Sequence, residues 1–196
     1  GVTGYVVIMK KLLATIILSL CFTTQSIAEN IKDFQIEGLS IGESALKFFN
    51  KDQIKNNKKS FYRDDKYIPV IFEIKTNDYD WINFHYKKGD KNYIMDGIRG
   101  GIAINYNDCM NKLKEVEQSV SNLFIGYKKE TKTNSPHGQD KTGRSFTSGF
   151  KFQDQNGDRF TAYCDNFHKD MRIQNSLNIG VYTSEFMDWI GNKAYK

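Results

Sequence analysis

Residues 106–124 read YNDCMNKLKEVEQSVSNLF, and how they fold decides the architecture. Cys109, Leu113, Val116, Val120 and Leu123 recur at alternating steps of four and three, which puts them on one stripe of a helix. The polar residues between them, from Asn111 to Asn122, can stay in water. Asn107 or Asp108 can cap the start, because a short side-chain oxygen there accepts a hydrogen bond from a first-turn N–H that has no partner inside the helix. No other segment after residue 28 is as clearly helical. The spacing predicts one long amphipathic helix lying across a sheet.

The sheet is read on both sides of it. Upstream, Ile68, Val70, Phe72 and Ile74 alternate with Pro69, Ile71 and Glu73, as in a half-buried strand. Pro69 has no N–H for a ladder and predicts an edge or a strand start. In residues 81–87 Ile82, Phe84 and Tyr86 share one face, and Trp81, Asn83 and His85 share the other. Residues 93–106 read as a longer strand with a bulge or sharp bend at Gly100-Gly101. Downstream, residues 127–143 are polar and poor in apolar residues, the pattern of a loop. Residues 145–164 are the clearest hairpin, with Asn156-Gly157 expected to form a type I′ turn. Leu177, Ile179 and Val181 suggest one more strand, and Ser184 can cap a short terminal helix. The fold class is α+β: an antiparallel sheet of about five or six strands with one long helix on one face.

The start of the chain carries an export pattern. Lys10 and Lys11 precede an apolar run, LLATIILSLCF, and a polar stretch ending Ser26-Ile27-Ala28. This predicts a signal peptide at 9–28 with cleavage before Glu29, an upstream extension at 1–8, and a single exported domain at 29–196. The apolar run is short for an anchor, which wants ~20 apolar residues. Leu20 before Cys21 departs from a lipoprotein signal. No stable membrane span is expected after cleavage, and the location is periplasmic or secreted.

The domain opens with FQIEGLSIGESALKFF at 34–49, in which Ser40 or Ser44 can cap a short helix. This opening resembles an uncharacterised family of small bacterial secreted proteins, in which a strand leads through a Gly-Leu-Ser-Ile-Gly turn into a helix. It is similar over about a dozen residues to outer-membrane assembly lipoproteins of the BamE/SmpA type, whose N-terminal helix follows a comparable Gly-Met-Thr turn. The chain departs from that pattern in lacking a lipobox and its second half. The resemblance implies an envelope role and no functional residues.

Charge and cysteines bound the function. The formal charge is +5 and falls to +3 once Lys10 and Lys11 leave. The lysines are interspersed with acids rather than gathered into a basic stripe with interleaved aromatics, so no nucleic-acid partner is expected. Cys109 and Cys164 remain after cleavage, an even pair in an oxidising compartment, and are expected to form a disulfide. Closing that loop would stabilise the fold by ~4 kcal/mol in the loop-entropy model. The alternative, a Cys164–His168 nucleophile, needs a free thiolate where thiols are usually oxidised.

The candidates for chemistry are few. His168, with Asp165 and Asp170 beside it in DNFHKD, is a candidate general base, though no nucleophile or oxyanion donor is identifiable with it. Trp81, Asn83 and His85 form a candidate binding face if no element covers them, offering aromatic area with polar handles. The competing expectation is that Trp81 packs in the core. Asp154–Asp158 imitates the start of a calcium loop, but Arg159 stands where such a loop needs glycine. The histidines are too scattered for zinc, so neither a metal nor a cofactor is expected. The sequence leads to a non-catalytic binding or envelope-associated module whose partner, an envelope component or a small ligand, it does not name. A small periplasmic hydrolase using His168 or His85 with nearby acids is the second reading. Subunit pairing through the edge that carries Pro69 is the third.

Overall fold

A computed structural model describes residues 30–196 of the 196-residue chain. The extension expected at 1–8 and the signal peptide expected at 9–28 lie outside the described residues. Among the described residues seven strands form: β1 Tyr67–Glu73, β2 Trp81–Lys87, β3 Met95–Ala103, β4 Lys128–Pro136, β5 Phe146–Gln153, β6 Arg159–Asn166 and β7 Ser176–Tyr182. They make one antiparallel sheet in the order β1-β2-β3-β7-β6-β5-β4. The α+β class holds, with seven strands where the pattern predicts five or six. Three helices accompany them: α1 Lys51–Asn56, α2 Tyr106–Ser121 and α3 Ser184–Asn192.

The topology is two three-stranded meanders joined by the last strand. After β3 the chain crosses through α2 to the far edge, starts again at β4, and returns inward strand by strand. Then β7 enters the gap and pairs with β3 on one side and β6 on the other. Its side chains explain that position. Leu177 and Val181 are buried toward α2, while Asn178 and Gly180 are buried on the opposite face. A strand covered on both faces belongs in the middle of a sheet.

Alternation along every strand divides the sheet into an α2 face and an α3 face. On the α2 face Val70, Phe84, Ile98, Phe150, Phe160 and Val181 are buried. The helix covers the β6–β7 half, where the Cys109–Cys164 disulfide pins it at a Cα separation of 5.8 Å. The N-terminal segment covers the other half. Gly42 N donates to the Met95 carbonyl at 2.8 Å, and the Phe49 ring stacks on Phe72 at 4.1 Å between centroids.

Several expectations need correction. The cap of α2 is Asn105, whose side chain accepts from Asp108 N at 3.0 Å, because Asn105 is the last extended residue (φ −64°, ψ 155°). Thr183, not Ser184, caps α3 for the same reason. Residues 128–136, expected in a loop, form edge strand β4. Its ladder to β5 supplies the structure, and because the strand is mostly exposed it carries no apolar period to read. Exposed lysines on such an edge oppose pairing with another chain. β3 runs unbroken through Gly100-Gly101, and the register shift lies instead between His85 and Tyr86. The β5–β6 connection is five residues long, with positive φ at Gly157 alone, so it is not a two-residue type I′ turn. The opening at 34–49 contributes an isolated Ile36–Leu39 bridge and a short 3₁₀ turn capped by Ser44 rather than a strand and helix.

Candidate functional site

The α3 face holds the site, and glycine shapes its floor. Three aromatic rings on this face lie over the glycine paired with them on the next strand: Trp81 over Gly101, Tyr182 over Gly97 and Tyr163 over Gly149. A Cβ on Gly101 would stand 2.2 Å from the Trp81 indole, and one on Gly149 would stand 2.1 Å from the Ala162 carbonyl. Gly97 and Gly101 of β3 are therefore a bed for rings, where a bulge or bend was expected at Gly100-Gly101.

α3 closes part of this face. Phe186 and Trp189 are buried against Tyr67, with the Phe186 and Trp189 rings 5.1 and 4.9 Å from it. Trp189 Nε1 donates to Asp64 Oδ1 at 3.0 Å, and Arg63 N donates to the Ala194 carbonyl at 2.8 Å, tying the loop before β1 to the chain end. At the start of α3, Ser184 N donates to Asp158 Oδ1 at 2.8 Å. This explains the buried Asp158 of the DQNGD turn as a structural acceptor.

Where α3 stops covering the sheet, a cavity of about 430 Å³ remains. One wall is apolar and comes from Phe61, Met187, Ile190 and Tyr195. The floor is polar and comes from alternate residues of β2, β3, β7 and β6: Asn83, Arg99, Asn178 and Thr161 among them. The Asn83 amide, with its oxygen turned toward Arg99, accepts from Arg99 Nη2 at 2.9 Å and donates to the Arg99 carbonyl at 3.3 Å. Asn178 Nδ2 donates to Asp165 Oδ2 at 2.9 Å and to Ser176 Oγ at 3.0 Å. Burial of Asp165 pushes its carboxyl above the usual range, against the pull of hydrogen bonds and of His137 and Arg99.

The sequence candidates separate. Asn83 and His85 line the cavity; Trp81 lies on the same face but outside it. His85 is almost wholly buried, its ring 4.6 Å from Phe186, and its Nε2 is 2.9 Å from the Tyr62 hydroxyl. Burial first, then the Arg99 charge, pulls its imidazole down to about 3, so it is neutral at pH 7. Asp165 and His168 have different partners. Asp165 Oδ1 lies 3.8 Å from His137 Nε2, whereas His168 Nδ1 accepts from Asp170 N at 3.3 Å and caps a 3₁₀ turn. Among the described residues no cluster of three or more His, Cys, Asp or Glu could hold a metal, and no helix is long and apolar enough to cross a membrane.

Arg99, Asn178, Tyr182 and Arg159 belong to the cavity and were not singled out by motif reading. Their signal is parity. Counting by parity from the apolar Ile98 and Ile179 puts Arg99, Asn178 and Tyr182 on the face opposite the core.

A second space of about 470 Å³ lies on the α2 face, lined by Phe34, Val116, Val120, Leu177 and Ile179. Glu37 and Glu115 at its margin are exposed, so its polar groups face water instead of converging. Comparison of the chain with protein-family models, curated proteins and solved structures finds no match.

Proposed function

We propose that this protein is a non-catalytic binding module that takes a small organic ligand in the cavity on the α3 face and works outside the cytoplasm. The observation that carries the reading is the cavity's construction. A polar floor of Asn83, Arg99 and Asn178 meets an apolar wall from α3 and residues 61–62 over a volume suited to a small molecule. The Cys109–Cys164 disulfide supports an oxidising compartment. Together with the export pattern at 9–28 and the envelope resemblance at 34–49, it makes periplasmic or secreted ligands the ones to try first.

The hydrolase reading has less support. A base with a pKa near 3 takes no proton at neutral pH, and His85 faces Tyr62 and Phe186 rather than a carboxylate. Pairing through the β1 edge is opposed by residues 57–59, since Lys59 N donates to the Pro69 carbonyl and Ile71 N to the Asn57 carbonyl at 2.9 and 3.0 Å.

The test is a fragment screen by ligand-observed NMR on the purified protein and on Thr161→Trp, which extends an indole from the floor into the cavity. Competing hits that the folded Thr161→Trp protein no longer binds support the reading. Absence of hits, or hits that bind both proteins equally, overturns it.

A further inference from the structure

Charge in the cavity is one-sided. Arg99, Lys132, Lys151 and Arg159 line it, against the single carboxylate of Asp165. Lys151 is neutralised by Glu130, its ammonium 2.8 Å from Glu130 Oε2. The two guanidiniums are different. Among the described residues neither Arg99 nor Arg159 has a carboxylate within 4.0 Å, and the buried Nε of Arg159 has no hydrogen-bond partner. Asp165 acts on Arg99 only from beyond ion-pair distance, its carboxylate being held by Thr147 and Asn178 and facing His137.

Arg99 also occupies the middle of the site. In register it stands beside Gly180 of β7, which in turn pairs with Thr161 of β6, so no side chain of β7 rises between Arg99 and Thr161 except the ring of Tyr182 lying over Gly180. Its charge acts on Tyr62, His85, Asp165, Tyr182 and Tyr195, groups from every wall. A guanidinium held by one neutral amide has unused donors in the planar arrangement that matches an oxyanion.

Resting on the binding reading above, we propose that the ligand is an organic anion: a carboxylate, sulfonate or phosphate group on a flat apolar body. The oxyanion lies at Arg99, with Arg159 as the second cation, and the body lies against Phe61, Met187 and Ile190. A bare inorganic anion would leave that apolar wall wet, and a neutral ligand would leave the Arg99 guanidinium without an anionic partner.

Two dyes with the same ring system separate the terms: 8-anilinonaphthalene-1-sulfonate, which carries the anion, and N-phenyl-1-naphthylamine, which does not. Fluorescence titration of the purified protein should show the sulfonate binding about tenfold or more tightly than the neutral dye. Arg99→Gln should weaken the sulfonate by about tenfold or more and the neutral dye by less than about twofold, as loss of a charge-assisted hydrogen bond predicts. Arg99→Lys should retain part of the preference, and circular dichroism shows whether each variant is folded. Arg159→Gln runs the same comparison without touching the Asn83–Arg99 pair, with a loss of about threefold expected for the second charge. If both dyes bind equally and neither arginine variant shifts the sulfonate, while Thr161→Trp abolishes both, the anionic class is wrong and the cavity stands. If Thr161→Trp leaves both dyes bound as before, the cavity is not the site and both readings fall.

Discussion

In β2, Phe84 points to the α2 face and is wholly buried among Phe49, Phe72 and Tyr86, while Asn83 and His85, one residue to either side, point to the α3 face and line a cavity. The same division runs through the sheet. The α2 face carries aliphatic and aromatic side chains and is stapled to a helix by a disulfide. On the α3 face, glycines let rings lie flat, polar groups bond to one another, and α3 seals only part of the surface. One face makes the fold stable, and the other spends burial on polar groups that an apolar filling would serve better. Polar residues at the centre of a seven-stranded sheet are explained by a ligand more readily than by stability.

The sharpest way to break this comparison is to truncate neighbours on opposite faces. Phe84→Ala should cost about 3–5 kcal/mol in equilibrium unfolding, as deletion of a fully buried ring does. Asn83→Ala should cost about 1 kcal/mol, because Arg99 can then turn to water in the cavity. Equal losses would mean that the α3 face is as much a core as the other. Next in size is the staple. Cys109→Ser and Cys164→Ser should each destabilise the protein by roughly 2–5 kcal/mol and by similar amounts, since either removes the same bridge. Unequal losses would point to a role for one thiol beyond it.

Gly149→Ala probes the bed on which the rings lie. Its methyl would meet the Ala162 carbonyl and the Tyr163 ring, backbone and side chain together, at a cost of about 1–3 kcal/mol. Gly191→Ala, in α3 with nothing within 4 Å of the added carbon, should be neutral or stabilising. The last effect appears only in acid. The unfolded chain protonates His85 near 6.5, whereas the folded chain resists down to about 3. Below 6.5 the unfolded state therefore binds the extra proton, and His85 lowers stability progressively as pH falls toward 3. Asp165, with its carboxyl raised by burial, acts in the opposite sense. Unfolding of His85→Gln followed over this range should show a shallower acid loss than the parent protein; an unchanged slope would mean that His85 is not buried as described.

Much of the α2 face was legible in the sequence because its signal is apolar period. The stripe on residues 106–124, the alternation in β1, β2 and β5, and the two cysteines led directly to a helix on a sheet and the bond between them. β4 was illegible because neither of its faces is buried, so it carries no apolar period, and its ladder to β5 defines the strand. The site was half legible. Asn83 and His85 emerged from parity in β2, yet Arg99 sat beside Gly100-Gly101, read as a bulge or bend, and Asn178 and Tyr182 needed the placement of β7 beside β3, which no local pattern encodes. Of the three rings over glycines, one joins strands distant in sequence, Gly97 with Tyr182.

The two faces also offer two spaces, and one measurement decides between them. A crystal structure of the protein soaked with 8-anilinonaphthalene-1-sulfonate tests the account directly. The account predicts the dye on the α3 face, its sulfonate at Arg99 and its rings against Met187 and Ile190. Dye found instead under α2, between Phe34 and Val116, with the α3-side cavity empty, would contradict it.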